Sequence, residues 1–349
     1  MDDPEVGPLK IAEILPEFHE GGVERHVLLL SNALAGMGHQ VTVITAGGKL
    51  EEKLDPGVEI WRLPVHRKNP VTGLYSALKI AGRAKREEWD ILHAHSRVPA
   101  WIAWWTASMA GIPWAVTAHA RYSLNYGLRP IREADGAICV SLAVQEHLKG
   151  LLPKNSVVIR NGLPPSGCRW KGSGGDARRL LFVGRLTRIK GLHVALEALS
   201  GLRDRRWSLA VLGDGPRREE LEDLSRSLGI YERVRFHGFC DDPDEWMAKS
   251  DLLLYPSLDE GMGLVLMQAI QVGTPVLASD IEPVRELVGD NASLLPPGDV
   301  PAWEKALKEV FDEVIVPRVF DTVSVPTDHE MALSTNVFYG DILDSLITK

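Results

Sequence analysis

Residues Asp259–Ser279, DEGMGLVLMQAIQVGTPVLAS, follow an apolar run, Leu252–Tyr255, and the turn Pro256-Ser257. The order reads as a buried strand, a glycine-bearing turn, an almost wholly apolar helix, a break at Gly273-Thr274-Pro275 and a second short strand. An apolar helix between two apolar strands is the repeating unit of an α/β domain with a parallel sheet. The pattern puts the helix start at Gly261-Met262-Gly263. A helix start leaves backbone N–H groups without intrahelical acceptors, and with roughly half a positive charge from the dipole they favour an anion. Glu260 sets a carboxylate at the same mouth. Donors for phosphate beside a carboxylate suit a ligand with both phosphate and hydroxyls. A buried crossover with a glycine turn and no ligand fits the same residues, because short glycine motifs are weak evidence.

The same alternation extends in both directions. Upstream, strands are expected at Lys10–Leu15, Gln40–Thr45, Val58–Leu63, Asp90–His95, Trp114–Thr117, Gly136–Val140 and Ser156–Ile159, with helices at Val23–Gly36, Gly73–Glu88 and Ser141–Lys149. Val23, Val27, Leu30 and Leu34 keep helical spacing. Residues 163–178, LPPSGCRWKGSGGDAR, break the pattern and read as a linker. The alternation then restarts with Leu180–Val183, Gly191–Ser200, Ser208–Leu212, Arg217–Leu228, Val234–His237 and Pro243–Lys249. Both halves begin strand, glycine-containing loop, helix, strand. The expected architecture is therefore α/β, two doubly wound domains facing across a cleft, with residues 1–163 as the first, 164–178 as linker and 179–329 as the second. A last helix, 330–349, is expected to pack back onto the first domain.

A chain of 349 residues exceeds one ordinary core, and 45% hydrophobic with 25% charged residues is ordinary for a globular protein. The net charge of −8 argues against broad nucleic-acid binding. Cys139, Cys168 and Cys240 are far apart and lack metal or disulfide spacing, which fits a reducing compartment. No signal pattern opens the chain and no apolar run approaches about 18 residues, so a cytoplasmic location is expected.

Several stretches together resemble the family-four glycosyltransferases. They are Phe182-Val183-Gly184-Arg185-Leu186 with Lys190-Gly191, Leu212-Gly213-Asp214-Gly215-Pro216, Val234–Gly238, Asp251–Ser257, Glu260-Gly261-Met262-Gly263 and Gly273-Thr274-Pro275-Val276. In the first half Glu20-Gly21-Gly22-Val23-Glu24 and Arg160-Asn161-Gly162 match as well. The resemblance covers most of the chain in the family's order, which is more specific than any single motif. It implies the GT-B fold and retaining, metal-independent transfer of a sugar from a nucleotide-diphosphate sugar, UDP- or GDP-linked, to a hydroxyl of a glycan or lipid-linked acceptor. Cell-surface polysaccharide or lipopolysaccharide synthesis is its usual setting.

The chemistry gives the matched residues work to do. Breaking a glycosyl–phosphate bond loads charge onto the leaving diphosphate, and without a metal fixed cations must take it. Arg185 and Lys190 suit this, one cation against one phosphate charge at about 4 Å being worth about 4 kcal/mol at an effective dielectric near 20. Arg can fork to two oxygens while Lys acts as a point charge. By the resemblance Glu260 holds sugar hydroxyls, the Gly261–Gly263 backbone holds phosphate, Gly21, Gly22 and Gly184 let backbone approach the donor, and His119 lies beside the reacting sugar. Phe239 and Cys240, after a strand, are expected by the nucleotide base. The family's second Glu, near the ribose, is here Gln268, an amide that needs partners if buried. Glu286 matches a late acidic position, but the preceding glycines are replaced by Ile281-Glu282.

Other residues read in more than one way. His93-x-His95 suggests a metal, but no third ligand is evident, and no metal is expected. His95-Ser96-Arg97 is expected to face the acceptor. Asp242-Pro243-Asp244 reads as turn and capping chemistry. Trp101, Trp104 and Trp105 are expected in a helix core, an aromatic edge against a membrane's inner face being the sharper option, with the basic helix Lys79–Arg86 as a second contact. Two rival functions stay open: a sugar-nucleotide epimerase, and a non-catalytic nucleotide-sugar binding protein motivated by Gln268. A dinucleotide dehydrogenase is disfavoured, since no G-x-G-x-x-G follows the first strand.

Overall fold

The computed structural model describes residues 7–174, 178–289, 294–314, 320 and 323–347. They divide into two compact units, one ending at Pro164 and completed by the chain from Pro326 onward, the other Pro165–Val325. The start of the chain, residues 175–177 of the expected linker, most of the segment after Val314 and the last two residues lie outside the described residues.

The first unit is built on β1 (Lys10–Ile14), β2 (Gln40–Thr45), β3 (Glu59–Arg62), β4 (Ile91–His95), β5 (Trp114–Ala118), β6 (Gly136–Cys139) and β7 (Ser156–Val158). Its helices are α1 (Gly22–Gly36), α2 (Pro70–Glu87), α3 (Arg97–Ala110), α4 (Arg129–Arg132) and α5 (Leu142–Leu148). The strands form one parallel sheet in the order β3-β2-β1-β4-β5-β6-β7. Apolar runs such as Val41-x-Val43-Ile44 make these strands suitable for a sheet covered on both faces. α2 starts where Asn69 caps it, its side chain accepting from Val71 N–H at 2.9 Å, and Pro70 occupies the first turn, where its missing N–H costs nothing.

The second unit carries β8 (Arg178–Val183), β9 (Trp207–Leu212), β10 (Val234–Gly238), β11 (Leu252–Tyr255) and β12 (Val276–Ala278). Its helices are α6 (Leu192–Ser200), α7 (Arg218–Ser227), α8 (Asp244–Lys249), α9 (Leu264–Val272), α10 (Glu282–Val288) and α11 (Val300–Phe311). The sheet is again parallel, ordered β10-β9-β8-β11-β12. Its core gathers Leu180, Phe182, Leu196, Leu209, Leu254 and Trp303, the last fully buried from α11. Residues 168–171 of the expected linker belong here. Trp170 donates from its backbone to Val272 O at 2.8 Å and from Nε1 to Ser250 O at 2.7 Å, and Lys171 N–H donates to Ala248 O at 2.9 Å.

The last helix, α12 (Asp328–Ile347), packs against α1 in the first unit, as expected. Met331, Phe338, Tyr339 and Ile342 join the core formed by Val27, Leu30 and Leu34. The chain returns past Gly162, where a Cβ would lie 2.0 Å from Thr327 O, so only glycine lets the two segments touch. Leu163 N–H then donates to Pro326 O at 3.0 Å. Among the described residues no helix is long and apolar enough to cross a membrane. The three cysteines are free.

Candidate active site

In an open α/β sheet, ligands bind at the carboxyl ends of the strands where the strand order reverses. Each unit has such a point, between β1 and β4 in the first and between β8 and β11 in the second.

In the second unit the loop after β8 and the loop after β11 are laced together. Leu258 N–H donates to Ile189 O at 2.7 Å. Gly191, at φ 70°, sits so close to Pro256 that a Cβ would fall 1.9 Å from its carbonyl oxygen. This contact brings the two predicted residues Lys190 and Glu260 together, Nζ to Oε1 at 2.6 Å, with Glu260 almost buried. The same Oε1 accepts from Ser257 Oγ at 2.8 Å. Arg185, on the same loop as Lys190, is exposed and makes no ion pair among the described residues. Gly184, just after β8, donates from its N–H to Leu212 O at 2.9 Å. Tyr255, at the end of β11, is buried beside Glu260. Burial first, and then the charge of Glu260, push its pKa well above the usual phenol value.

The helix start differs from the expected one. α9 begins at Leu264, because Gly263 sits at φ 90°, ψ 62°, in the left-handed region outside helical space. Gly261, Met262 and Gly263 form the approach, with Met262 buried, and the free N–H groups belong to the first turn from Leu264. Gln268 is buried on α9 and its amide donates to Asp244 Oδ1 at 3.2 Å. Asp244 also makes the turn contact expected of Asp242-Pro243-Asp244, its N–H donating to Asp242 Oδ1 at 3.1 Å. Phe239 is exposed after β10, and the Cys240 thiol donates to Asp242 O at 3.3 Å. Glu286 lies on α10.

In the first unit, Gly21 and Gly22 open α1 as expected of a strand-to-helix turn. Glu13 on β1, His93 and His95 on β4 and Thr117 on β5 share one face of the sheet, since the registers pair Glu13 with His93 and His95 with Thr117. α1 adds His26 and α12 adds Tyr339. His95 Nε2 meets Glu13 Oε2 at 2.5 Å and its Nδ1 meets His119 Nε2 at 3.1 Å. His93 bridges the Tyr339 hydroxyl at 2.6 Å and Thr117 Oγ1 at 2.7 Å. His26 Nδ1 bonds Asn161 Oδ1 at 2.8 Å, while its Nε2 is buried without a partner among the described residues. Burial, and then the neighbouring imidazoles, hold His26 down to about 3 and His119 well below the usual value; burial and His93 hold His95 down to about 4. Burial would raise the Glu13 pKa, but His93 and His95 together pull it well below the usual carboxylate range.

The sequence reading found His93, His95 and His119 but no third ligand near His93-x-His95. The structure supplies two candidate sets, His26 with His95 and His119, and Glu13 with His93 and His95, their donor atoms lying within 4.8 Å of one another. Every nitrogen of His93 and His95 already has a hydrogen-bond partner without an ion. His95 is buried at the base of this cluster, while His119 is its half-exposed end. The tryptophans, expected in a helix core, are half-buried instead. The core face of α3 is Pro99, Ala100, Ile102, Ala103 and Thr106, leaving Trp101 to pack on Trp104, Trp105 and Tyr126 at the rim.

Residues 20–166 match the family model described as Glycosyltransferase Family 4, and residues 177–313 match the model described as Glycosyl transferases group 1. The lipopolysaccharide core biosynthesis glycosyltransferase LpsE of Rhizobium meliloti is 27% identical over 84% of this chain and 87% of its own. A phosphatidyl-myo-inositol mannosyltransferase of Mycobacterium leprae is 29% identical, covering 86% of each chain. Among solved structures, Anabaena HepE in complex with UDP and glucose aligns with a TM-score of 0.76 at 19% identity, over 97% of this chain and 98% of that one.

Proposed function

We propose a retaining, metal-independent sugar transfer for this chain, a glycosyltransferase that belongs to family 4 and has the two-domain GT-B fold. The donor is a nucleotide-diphosphate sugar, UDP- or GDP-linked, and the acceptor a hydroxyl of a glycan or lipid-linked glycan in cell-surface polysaccharide or lipopolysaccharide synthesis. The observation that carries the reading is the Lys190–Glu260 pair at the second unit's switch point, with Arg185 exposed on the same loop and in no ion pair among the described residues. Arriving diphosphate takes Arg185 by bidentate contact and draws Lys190 away from Glu260. Glu260, released, accepts from sugar hydroxyls. The first turn of α9 completes the phosphate cradle. As charge develops on the leaving phosphate, the two cations stabilise it where it forms. The leaving phosphate assists removal of the acceptor proton on the same face, so the reading requires no strong protein base. The first unit serves the acceptor, Gly21 and Gly22 let backbone approach the donor phosphates, and His119 serves the reacting sugar. Gln268 and Asp244 together serve the ribose, and Phe239 and Cys240 the base.

The test is a thermal-shift panel of UDP-, GDP-, ADP- and CMP-sugars, followed by NMR of the anomeric product. A shift with one nucleotide class and a retained anomer are expected; an inverted product, or no shift with any donor, removes the reading. Gln268 favours a second reading, a non-catalytic nucleotide-sugar binding protein. Donor binding without hydrolysis or transfer over long incubation would select it.

The same proposal places the protein in the cytoplasm with a peripheral contact at the membrane's inner face. α2 exposes Val71, Leu74, Tyr75 and Leu78 along one stripe, continued by Lys79, Lys85 and Arg86. From Leu63 to Arg86 the chain has no acidic residue, in a protein of net charge −8. An apolar stripe running into basic residues suits anionic lipid. Sedimentation with anionic vesicles at low salt, and none with neutral ones, is the expected result; equal binding to both, or to neither, argues against it.

A further inference from the structure

Glu13 is a buried anion on β1 that the transfer reading leaves unused. A carboxylate can only accept hydrogen bonds, so it dictates the direction of every bond that leads away from it. His95 must carry its proton on Nε2, which faces Glu13 Oε2 at 2.5 Å. Its Nδ1 is then a lone pair, and the nitrogen facing it at 3.1 Å, His119 Nε2, must be the donor. The second branch obeys the same rule. Tyr339 gives its one hydroxyl proton to Glu13 Oε1 at 3.1 Å, so it accepts from His93 Nδ1 at 2.6 Å. His93 Nε2 lies 2.7 Å from Thr117 Oγ1. A single anion thus orients a hydrogen-bonded chain that runs through His95 and ends at the half-exposed ring of His119.

We propose that Glu13, acting through His95, is a positioning residue that sets His119 in its Nε2–H tautomer, so that His119 Nδ1 is a hydrogen-bond acceptor for a substrate hydroxyl. Identifying that hydroxyl as a sugar's rests on the transferase reading; the tautomer does not. An Nδ1–H ring in the same place would meet a hydroxyl's oxygen instead of its proton and select a different rotamer of the ligand. The groups around the chain leave the direction intact. His26 turns Nδ1 to Asn161 and lies edge-on to His119 with ring centroids 4.7 Å apart. Tyr122 accepts from His119 N–H at 3.2 Å and lies under Arg97, whose guanidinium is 5.3 Å from the ring centre. Neither takes a proton from His119 Nε2.

The experiment uses the full chain labelled with ¹⁵N-histidine, and long-range ¹H–¹⁵N correlation at pH 7.5 reads which nitrogen of each ring is protonated. His119 is assigned from the spectrum of His119→Asn. Wild type is expected to show His119 protonated on Nε2 and bare on Nδ1. Glu13→Gln is expected to populate the Nδ1–H form of His119 and to raise KM for the sugar substrate about three- to tenfold with a smaller change in kcat. Glu13→Asp, which keeps the charge, is expected to recover the wild-type tautomer. The proposal is overturned if wild-type His119 is Nδ1–H or doubly protonated, if its Nε2 is found bound to a metal ion, or if Glu13→Gln leaves the tautomer unchanged. The wild-type spectrum decides the matter even where the Glu13 variants do not fold. A correct tautomer in a protein that transfers no sugar sinks the transferase reading and leaves the relay standing.

Discussion

The switch points of the two sheets occupy equivalent places in one strand order, yet they are made of opposite materials. Between β8 and β11 the chain offers tight glycine backbone, an exposed guanidinium at Arg185, and a Lys190–Glu260 pair that an anionic ligand can open. Between β1 and β4 it offers imidazoles packed against one buried carboxylate, nearly every polar atom already bonded inside. Shared topology therefore says where a ligand goes and leaves open what it meets there. An anion needs cations and free N–H groups close to water. A hydroxyl needs one acceptor whose lone pair is aimed before the ligand arrives.

The largest test of this contrast is acid. His26 and His95 have folded pKa values of about 3 and about 4 against an ordinary 6.5, and His119 lies well below it. Unfolded chains take up protons at these sites below pH 6.5 while the folded unit refuses them. Stability from these groups is thus full above that pH and is lost as the pH falls towards the folded values. The depressed Glu13 adds a loss that begins as the pH falls through the ordinary carboxylate range and continues below it. Going from pH 7.5 to 4.5 is expected to cost the first unit on the order of 5 kcal/mol, and hydrogen exchange resolved by unit should show it opening before the second. Simultaneous loss in both units would break the contrast.

Arg185→Ala comes next. Transfer is expected to fall about 10²- to 10³-fold, about 3 kcal/mol, with the melting temperature unchanged because the side chain is exposed. Near-normal turnover would remove the cation assignment. Gly191→Ala, which forces a Cβ into Pro256 O from a left-handed backbone, should cost the second unit about 2 kcal/mol or more, read from the denaturant midpoint. The smallest effect is at α9. Gln268→Glu places a carboxylate against Asp244 and is expected to lose about 1 kcal/mol at pH 8, which Asp244→Asn should recover in a double-mutant cycle. Additive effects would show that the two side chains do not act together.

Much of the second site was readable in advance because its parts are local. Arg185 and Lys190 are five residues apart on one loop, and Glu260 adjoins the glycines that shape its own turn. The helix start was misplaced because glycine spacing does not reveal that Gly263 turns to φ 90°. The first site was half hidden. Its histidines stood out on the strand ends, but Glu13 looked like an ordinary residue in the strand Lys10–Ile14, and His26 like one more position of α1. The signals were a charged residue inside an otherwise apolar strand and a histidine on the apolar stripe that includes Val23, Val27 and Leu30. The tryptophans misled because aromatic residues in helical spacing suit a core and a rim alike.

The sequence by itself determined two α/β units, most of their strands and helices, and the cations, carboxylate and glycines of the second switch point. Those features depend on periodicity and on backbone requirements that act over a few neighbouring residues. Only the tertiary structure decided that Glu13, His95 and His119 form one directed chain, that Gln268 meets Asp244, and that Tyr339 closes the network from 326 residues away. Hydrogen-bond direction depends on which groups face each other once the sheet registers and α12 have packed. No spacing along the chain encodes that.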